Sequence, residues 1–157
     1  MRRILVTGMS GTGKSSALES LRLLGFRAVD TDEDDWTEWS DTEGGYVWRE
    51  ERIAELLGCD TGPSLYVSGT VSNQGRFYER FDAVVLLSAP ADVLLARIET
   101  RSTNPYGKTP AQRELVLRDL AEVEPRIRRT CTHEIDATQP LAEVVNQLAQ
   151  LGRDPSA

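Results

Sequence analysis

The sequence predicts an α/β fold of three layers, with helices packed on both faces of a five-stranded parallel sheet. Three observations carry this reading. Short apolar runs alternate with segments of helical period along the whole chain. The run "DAVVLLSAP" (82–90) is almost continuously apolar, as in a strand buried on both faces. The glycine-rich stretch "GMSGTGKSS" falls directly between the first strand and the first helix.

The elements follow in order. "RILVT" (3–7) reads as a buried strand. From Ser15 the period becomes helical, with Ala17, Leu18, Leu21 and Leu24 on one stripe and Gly25 as the stop. "FRAVD" (26–30) is the second strand, and the acidic stretch 30–45 predicts a polar, partly helical region. "YVWREERIAELLG" (46–58) reads as a helix and "SLYVSG" (64–69) as the next strand. After the run at 82–90, Val93, Leu94, Ile98 and the stem of Arg97 share a helix face. "STNPYGKTP" (102–110) has the composition of a mobile loop. Thr109 and Pro110 then cap and open another helix, which Pro125 ends or kinks. "HEID" (133–136) is the fifth strand, and residues 140–152 close the chain as a helix with Leu141, Val144, Val145, Leu148 and Leu151 aligned. Residues 1–152 are expected to form one domain, followed by a tail at 153–157.

The formal charge of −7 and the acidic balance argue against a large nucleic-acid footprint, which needs a basic face. No apolar run reaches the ~18–20 residues of a membrane span. "MRRILVTG" lacks the long apolar region and small-residue cleavage site of a signal peptide. Cys59 and Cys131 have no metal-ligand spacing and read as reduced thiols. The expectation is a cytoplasmic protein, monomeric or homodimeric, without nucleic-acid or membrane partners.

Gly8-Met9-Ser10-Gly11-Thr12-Gly13-Lys14-Ser15 fits the phosphate-loop pattern G-x-x-x-x-G-K-[ST], with a strand before it and a helix after it. Glycines let successive N–H groups turn toward phosphate oxygens, and a helix N-terminus adds a favourable dipole. Gly8, Ser10, Gly11, Thr12, Gly13, Lys14, Ser15 and Ser16 are thus candidate nucleotide-binding residues, with Lys14 on the β- and γ-phosphates and the Ser15 hydroxyl on Mg²⁺. Asp30 and Asp32 follow the second strand beside this loop. Either they belong to a solvated acidic run, or they share a metal ion and take the proton of an attacking hydroxyl.

"GMSGTGKSS" followed by "DTD" after the second strand resembles the small P-loop kinases: the shikimate kinase, gluconate kinase and nucleoside monophosphate kinase group. "LLARIETRSTNPYGK" is similar to the start of their lid, placed here at about 98–112, and "HEIDATQPLAEVV" to their last strand and adenine-side loop. The resemblance implies a P-loop NTPase fold with a short lid, and transfer of the γ-phosphoryl group of ATP, with Mg²⁺, to a small-molecule acceptor. By the same resemblance Lys14 acts in catalysis, Asp30 assists the metal, and Asp32 touches the metal and orients or deprotonates the acceptor. Arg97 and Arg101 cover the nucleotide, Arg101 in a catalytic role, and the Asp136–Pro140 loop, with Thr138, flanks the base. Two features depart from the shikimate kinase pattern. The third-strand segment "VSGTVSN" keeps only Gly69 of a triple glycine, and Trp48-Arg49 only partly matches the substrate-carboxylate motif.

Three further readings follow from the residues. A nucleoside monophosphate kinase needs extra arginines around the acceptor, and Arg49, Arg52 and Arg76 are the supply. A regulatory module binds ATP and hydrolyses it slowly or not at all. A nucleic-acid end kinase conflicts with the acidic charge. Arg126, Arg128 and Arg129 read as surface charges, and Lys108 is a further candidate phosphate contact. Trp36, Trp39 and Trp48 either line the acceptor pocket or pack on helix faces.

Overall fold

A computed structural model describes residues 1–153. Of the tail 153–157, all but Arg153 lies outside the described residues. The central sheet comprises β1 (Arg3–Thr7), β2 (Arg27–Asp30), β5 (Leu65–Ser68), β6 (Ala83–Ser88) and β7 (His133–Asp136), in the order β2-β5-β1-β6-β7. Every neighbouring pair is parallel. The helices are α1 (Lys14–Leu23), α2 (Glu50–Leu57), α3 (Ala91–Thr100), α4 (Pro110–Glu122), α5 (Glu124–Thr130) and α6 (Leu141–Gly152).

Side-chain alternation along β1 divides the core into two layers. Ile4 and Val6 face a cluster built with Ala17, Leu18 and Leu21 of α1 and Val144, Val145 and Leu148 of α6. Leu5 faces the opposite cluster, built with Ile53 and Leu57 of α2, Trp48, Phe77 and Phe81. Tyr66 ties α6 to the sheet: its hydroxyl donates to Leu148 O at 2.5 Å. A Cβ added at Gly152 would lie 2.2 Å from that same hydroxyl oxygen, so the close approach needs glycine. The helix stripes hold except at their ends, where Leu24 and Leu141 are exposed.

The segment after β2 differs from its expectation. Instead of a partly helical region running into a helix at 46, the chain forms an antiparallel hairpin, β3 (Thr37–Ser40) and β4 (Gly45–Trp48). Gly44, at φ 68°, makes the turn, and its N–H donates to Ser40 O at 2.8 Å. Trp39 and Tyr46 face each other across the strands, ring centroids 5.5 Å apart edge to face, the kind of pair that stabilises a hairpin face. Helix α2 therefore starts only at Glu50.

The tryptophans take three different places: Trp48 and Trp36 pack against α2, and none of the three lines the acceptor-side cleft. Trp48 is fully buried, edge to face with Phe77, and its Nε1–H donates to Thr31 Oγ1 at 2.9 Å. Thr31 in turn donates to Ser68 O at 2.7 Å. Trp36 lies under the Arg52 guanidinium, 4.1 Å from ring centroid to Cζ. Trp39 is exposed on the hairpin. A Cβ at Gly69 would meet Thr31 Oγ1 at 2.3 Å and Trp48 Nε1 at 3.1 Å, so one glycine is required after β5 where Trp48 crosses it.

The expected proline break also forms. Thr109 Oγ1 caps α4 by accepting from the Gln112 N–H at 3.2 Å, and the chain turns at Val123 so that Pro125 sits in the first turn of α5.

Trp48→Phe removes both ring volume and a buried hydrogen bond. It is expected to lower folding stability by about 1–3 kcal/mol, read from the midpoint of chemical denaturation, with nucleotide affinity close to that of the parent. A normal midpoint together with altered nucleotide affinity would contradict a purely structural place for this ring.

Candidate active site

Parallel pairing brings the carboxyl ends of the strands to one edge, where ligands of open α/β sheets gather. Val6 and Asp30 both sit opposite Ser68, and Thr7 sits opposite Leu86, so the residues just beyond β1, β2, β5 and β6 meet there. Gly8 enters the loop at φ 149°, in a conformation L side chains rarely adopt, and a Cβ on it would lie 2.4 Å from Leu87 O. Thr70, beyond β5, braces it: Thr70 Oγ1 accepts from the Gly8 N–H at 3.2 Å and donates to Gly8 O at 2.7 Å. Thr12 Oγ1 donates to Met9 O at 2.9 Å. Gly13, left-handed, is the residue before α1, whose first turn carries no acidic side chain. The electropositive end of α1 therefore faces the loop cavity.

Lys14 Nζ lies inside the loop, donating to Gly8 O at 2.6 Å and Met9 O at 3.2 Å. Burial, aided by the nearby Arg101 charge, pulls its pKa down to about 8, and the Asp32 and Asp30 carboxylates partly offset that. Asp30 is buried and takes two hydrogen bonds, from Ser15 Oγ to Oδ2 at 2.7 Å and from the Asp32 N–H to Oδ1 at 3.0 Å. Asp32 has its carboxyl pKa raised, first by partial removal from water and then by the Asp30 charge, while Lys14 opposes the shift. Ser15, Asp30 and Asp32 thus gather hard oxygen donors beside the loop, a set that suits Mg²⁺.

Two cavities meet here. The smaller, of about 380 Å³, runs along residues 10–16 to Arg97, Arg101, Ala137, Gln139, Leu141 and Val144. Leu141 and Val144 give it an apolar end, which explains why Leu141 is exposed at the start of an otherwise buried stripe. The larger, of about 990 Å³, extends from Gly8, Met9 and Thr70 to the hairpin tip at Glu43 and Tyr46 and to Asp119, Arg126 and Thr130 of α4 and α5. Ser10, Lys14, Asp32 and Asn104 line both.

The structure brings together Gly8, Ser10, Gly11, Thr12, Gly13, Lys14, Ser15, Ser16, Asp30, Asp32, Arg97 and Arg101. Arg97 donates to Ala137 O at 2.6 Å, joining α3 to the loop after β7. Thr138 is the exception: its hydroxyl donates to Asp136 Oδ1 at 2.6 Å, and its neighbours Ala137 and Gln139 line the cavity instead. Arg128 is held by Glu124 and Glu134, as expected of a surface charge. Arg126 differs, because the turn at Val123 points the start of α5 into the larger cavity. Lys108 donates to Arg101 O at 2.6 Å. Loop 102–108 is closed by hydrogen bonds from Arg101, Tyr106 and Gly107, more tied down than its composition suggests. Tyr46 and Tyr78, which also face the larger cavity, were not legible as site residues, whereas Thr70 lies in the segment 68–73 beyond β5, at the strand-end edge where ligands are expected. The only signal for Tyr46 is the aromatic alternation of "GYVW".

Similarity to known proteins agrees with this geometry. The AAA domain family matches residues 4–122. A shikimate kinase 2 of Yersinia enterocolitica is 30% identical, with 96% of this chain and 95% of the relative covered. The shikimate kinase of Acinetobacter baumannii in complex with shikimate superposes with a TM-score of 0.66 at 19% identity, over 96% of this chain and 92% of the other, a likeness of fold. A gluconokinase from Sinorhizobium meliloti gives a TM-score of 0.62 at 26% identity, over 97% and 92%. The chain belongs to the AAA domain family and to the P-loop small-molecule kinase group.

Lys14 generates a pH dependence of known sign. With its pKa lowered to about 8, the ammonium loses its proton in alkaline solution, and a bound polyphosphate restores it. ATP affinity is expected to fall as pH rises through 8, with proton uptake on binding near zero at pH 6.5 and growing by pH 9. Calorimetry in buffers of different ionisation enthalpy measures this uptake, and Lys14→Met is expected to abolish it. Uptake unchanged in Lys14→Met would place the titrating group elsewhere.

Proposed function

We propose that this P-loop kinase transfers the γ-phosphoryl group of ATP to a hydroxyl of a small molecule held in the larger cavity. One observation carries the reading: Lys14 and Asp32 stand where the two cavities join, so the end of a polyphosphate and an acceptor would meet between them. In this reading residues 1–152 are one kinase domain, with its lid at about 98–112, acting in the cytoplasm. The loop backbone and α1 hold the phosphates. The apolar walls of Leu141 and Val144 take the base, and Arg97 orders the loop beside it through Ala137 O.

Asp32 orients the acceptor hydroxyl and takes its proton as the new O–P bond forms. Its raised pKa makes it a stronger base than an ordinary carboxylate. Lys14 and Arg101 stabilise charge on the phosphoryl oxygens and on the departing ADP. Ser15 Oγ, Asp30 and Asp32 would hold Mg²⁺, which usually takes few protein ligands and leaves its other positions to phosphate oxygens and water. When bound, the ion neutralises phosphate charge.

The acceptor wall supports a hydroxyl acceptor over a nucleoside monophosphate. Arg49 pairs with Asp35 and Glu38, Arg76 with Glu50, and Arg52 covers Trp36. Arg126, from α5 on the facing wall, is the arginine that lines this cavity besides the residues Tyr46, Tyr78, Gln74 and Thr70.

Purified protein with ATP, Mg²⁺ and a panel of hydroxylated metabolites and nucleoside monophosphates tests the reading. Expected is ADP formation that depends on one hydroxyl compound. Turnover without acceptor, or silent tight ATP binding, would favour a regulatory switch. Once an acceptor is found, Asp32→Asn is expected to lower turnover by ~10²-fold or more with ATP affinity nearly unchanged. The acidic limb of the parent's pH–rate profile should lie above the usual carboxylate range. Equal turnover in mutant and parent would remove the base from Asp32.

A further inference from the structure

Loop 101–108 is built around one guanidinium. Arg101 ends α3, and its Nε–H donates to Asn104 O at 2.9 Å while Nη2 donates to Tyr106 O. Nη2 also reaches Ser10 Oγ, at 3.4 Å, in the phosphate loop. The two carbonyls are themselves fixed. Asn104 Oδ1 accepts from the Tyr106 N–H at 2.9 Å, an Asx turn that sets the path between them. The Gly107 N–H donates to Gln112 Oε1 at 3.0 Å, anchoring the far side of the loop to the first turn of α4. Gly107 is left-handed at φ 92°, and a Cβ there would lie 2.7 Å from Ile98 Cγ2, so the loop seats directly on buried α3 packing.

We propose that Asn104 and Gln112 are positioning residues that aim Arg101 at the terminal phosphate through the loop backbone. The inference rests on the kinase reading for what Arg101 contacts. An arginine side chain has many rotamers, and much of that freedom must be lost before its fork can serve a phosphate. Two backbone carbonyls take up that ordering in advance and leave Nη1 directed by the planarity of the group. Arg101 Nη1 has no hydrogen-bond partner among the described residues. Gln112 lines neither cavity, so its effect on a ligand must pass through the loop.

The probes are ATP and ADP, bound to the full chain in the presence of Mg²⁺. The readout is the ratio of their dissociation constants, which isolates contacts to the γ-phosphate. Arg101→Ala is expected to reduce the preference for ATP by about tenfold, the scale of a lost charge-assisted hydrogen bond. Gln112→Ala should lose a substantial part of that preference while ADP binding and melting temperature stay near the parent's, and Asn104→Ala, at a residue that also lines both cavities, should lose the preference as well. Asn104→Ser keeps an oxygen able to accept from the Tyr106 N–H and should recover much of it. In the Arg101→Ala background, Gln112→Ala should have no further effect, because both act through one group. Additive losses, or a Gln112→Ala protein with the parent's ratio, would overturn the proposal. A parent that bound neither nucleotide would instead overturn the kinase reading itself.

Discussion

Everything at this site depends on keeping one ammonium group largely out of water. A half-buried lysine whose ammonium sits among backbone dipoles is partly desolvated, and its pKa falls accordingly. It stays useful at neutral pH because Asp30 and Asp32 lie close enough to offset the loss. The dependence runs both ways: Asp32 would be pushed further toward its neutral form by Asp30 were Lys14 not beside it. The cation and the carboxylate are thereby tuned by each other. Neither could be replaced without retuning its partner.

The parallel sheet is what makes this pairing possible. Lys14 follows β1, while Asp30 ends β2 and Asp32 lies just beyond it, and these two strands are not neighbours but flank β5. Register places Val6 and Asp30 on either side of Ser68, a buried small residue. Ser68 also supplies the carbonyl that fixes Thr31, and Thr31 fixes Trp48. The hydrophobic layer beneath the acceptor side and the acid at its edge therefore share one anchor. Site geometry and core packing are one construction here.

How much of this the sequence discloses depends on how local the cause is. The strands, the phosphate loop and the Thr109–Pro110 cap are written in consecutive residues, and their physics needs no distant partner. The hairpin is written less clearly. "TEWS" and "GYVW" do alternate, and "EGG" is turn chemistry, but the surrounding carboxylates and the helix-forming "REERIAELL" outweigh strands of this length. What decides for strand is a contact at long range, the burial of Trp48 against Phe77 and Thr31. Arg126 was legible only as a charge near a proline, because its aim depends on the turn at Val123. The difference between Ala137 or Gln139 and Thr138 as cavity residues is one position in a loop, below what any period can resolve.

The hairpin also bears on what kind of acceptor the fold receives. It supplies Glu43 and Tyr46 at the rim while its flanking arginines are spent within the same segment, on Asp35 and Glu38 and over the Trp36 ring. Charges neutralised by near neighbours cost little to hold but are poor at recognising a distant phosphate, since their donors are already engaged. Arg126 approaches from the other wall, beyond α4, and so meets a ligand only across the width of the cleft. A doubly charged phosphate acceptor would demand convergent cations that this wall does not gather. Hydroxyl and aromatic side chains such as Thr70, Ser72, Tyr46 and Tyr78 line it instead, and on the reading proposed above these suit a polar, largely uncharged acceptor. On the reading proposed above, specificity is a property of shape and hydroxyl pairing along the hairpin and α5, while the chemistry stays with Lys14, Asp32 and the arginine that loop 102–108 holds in place.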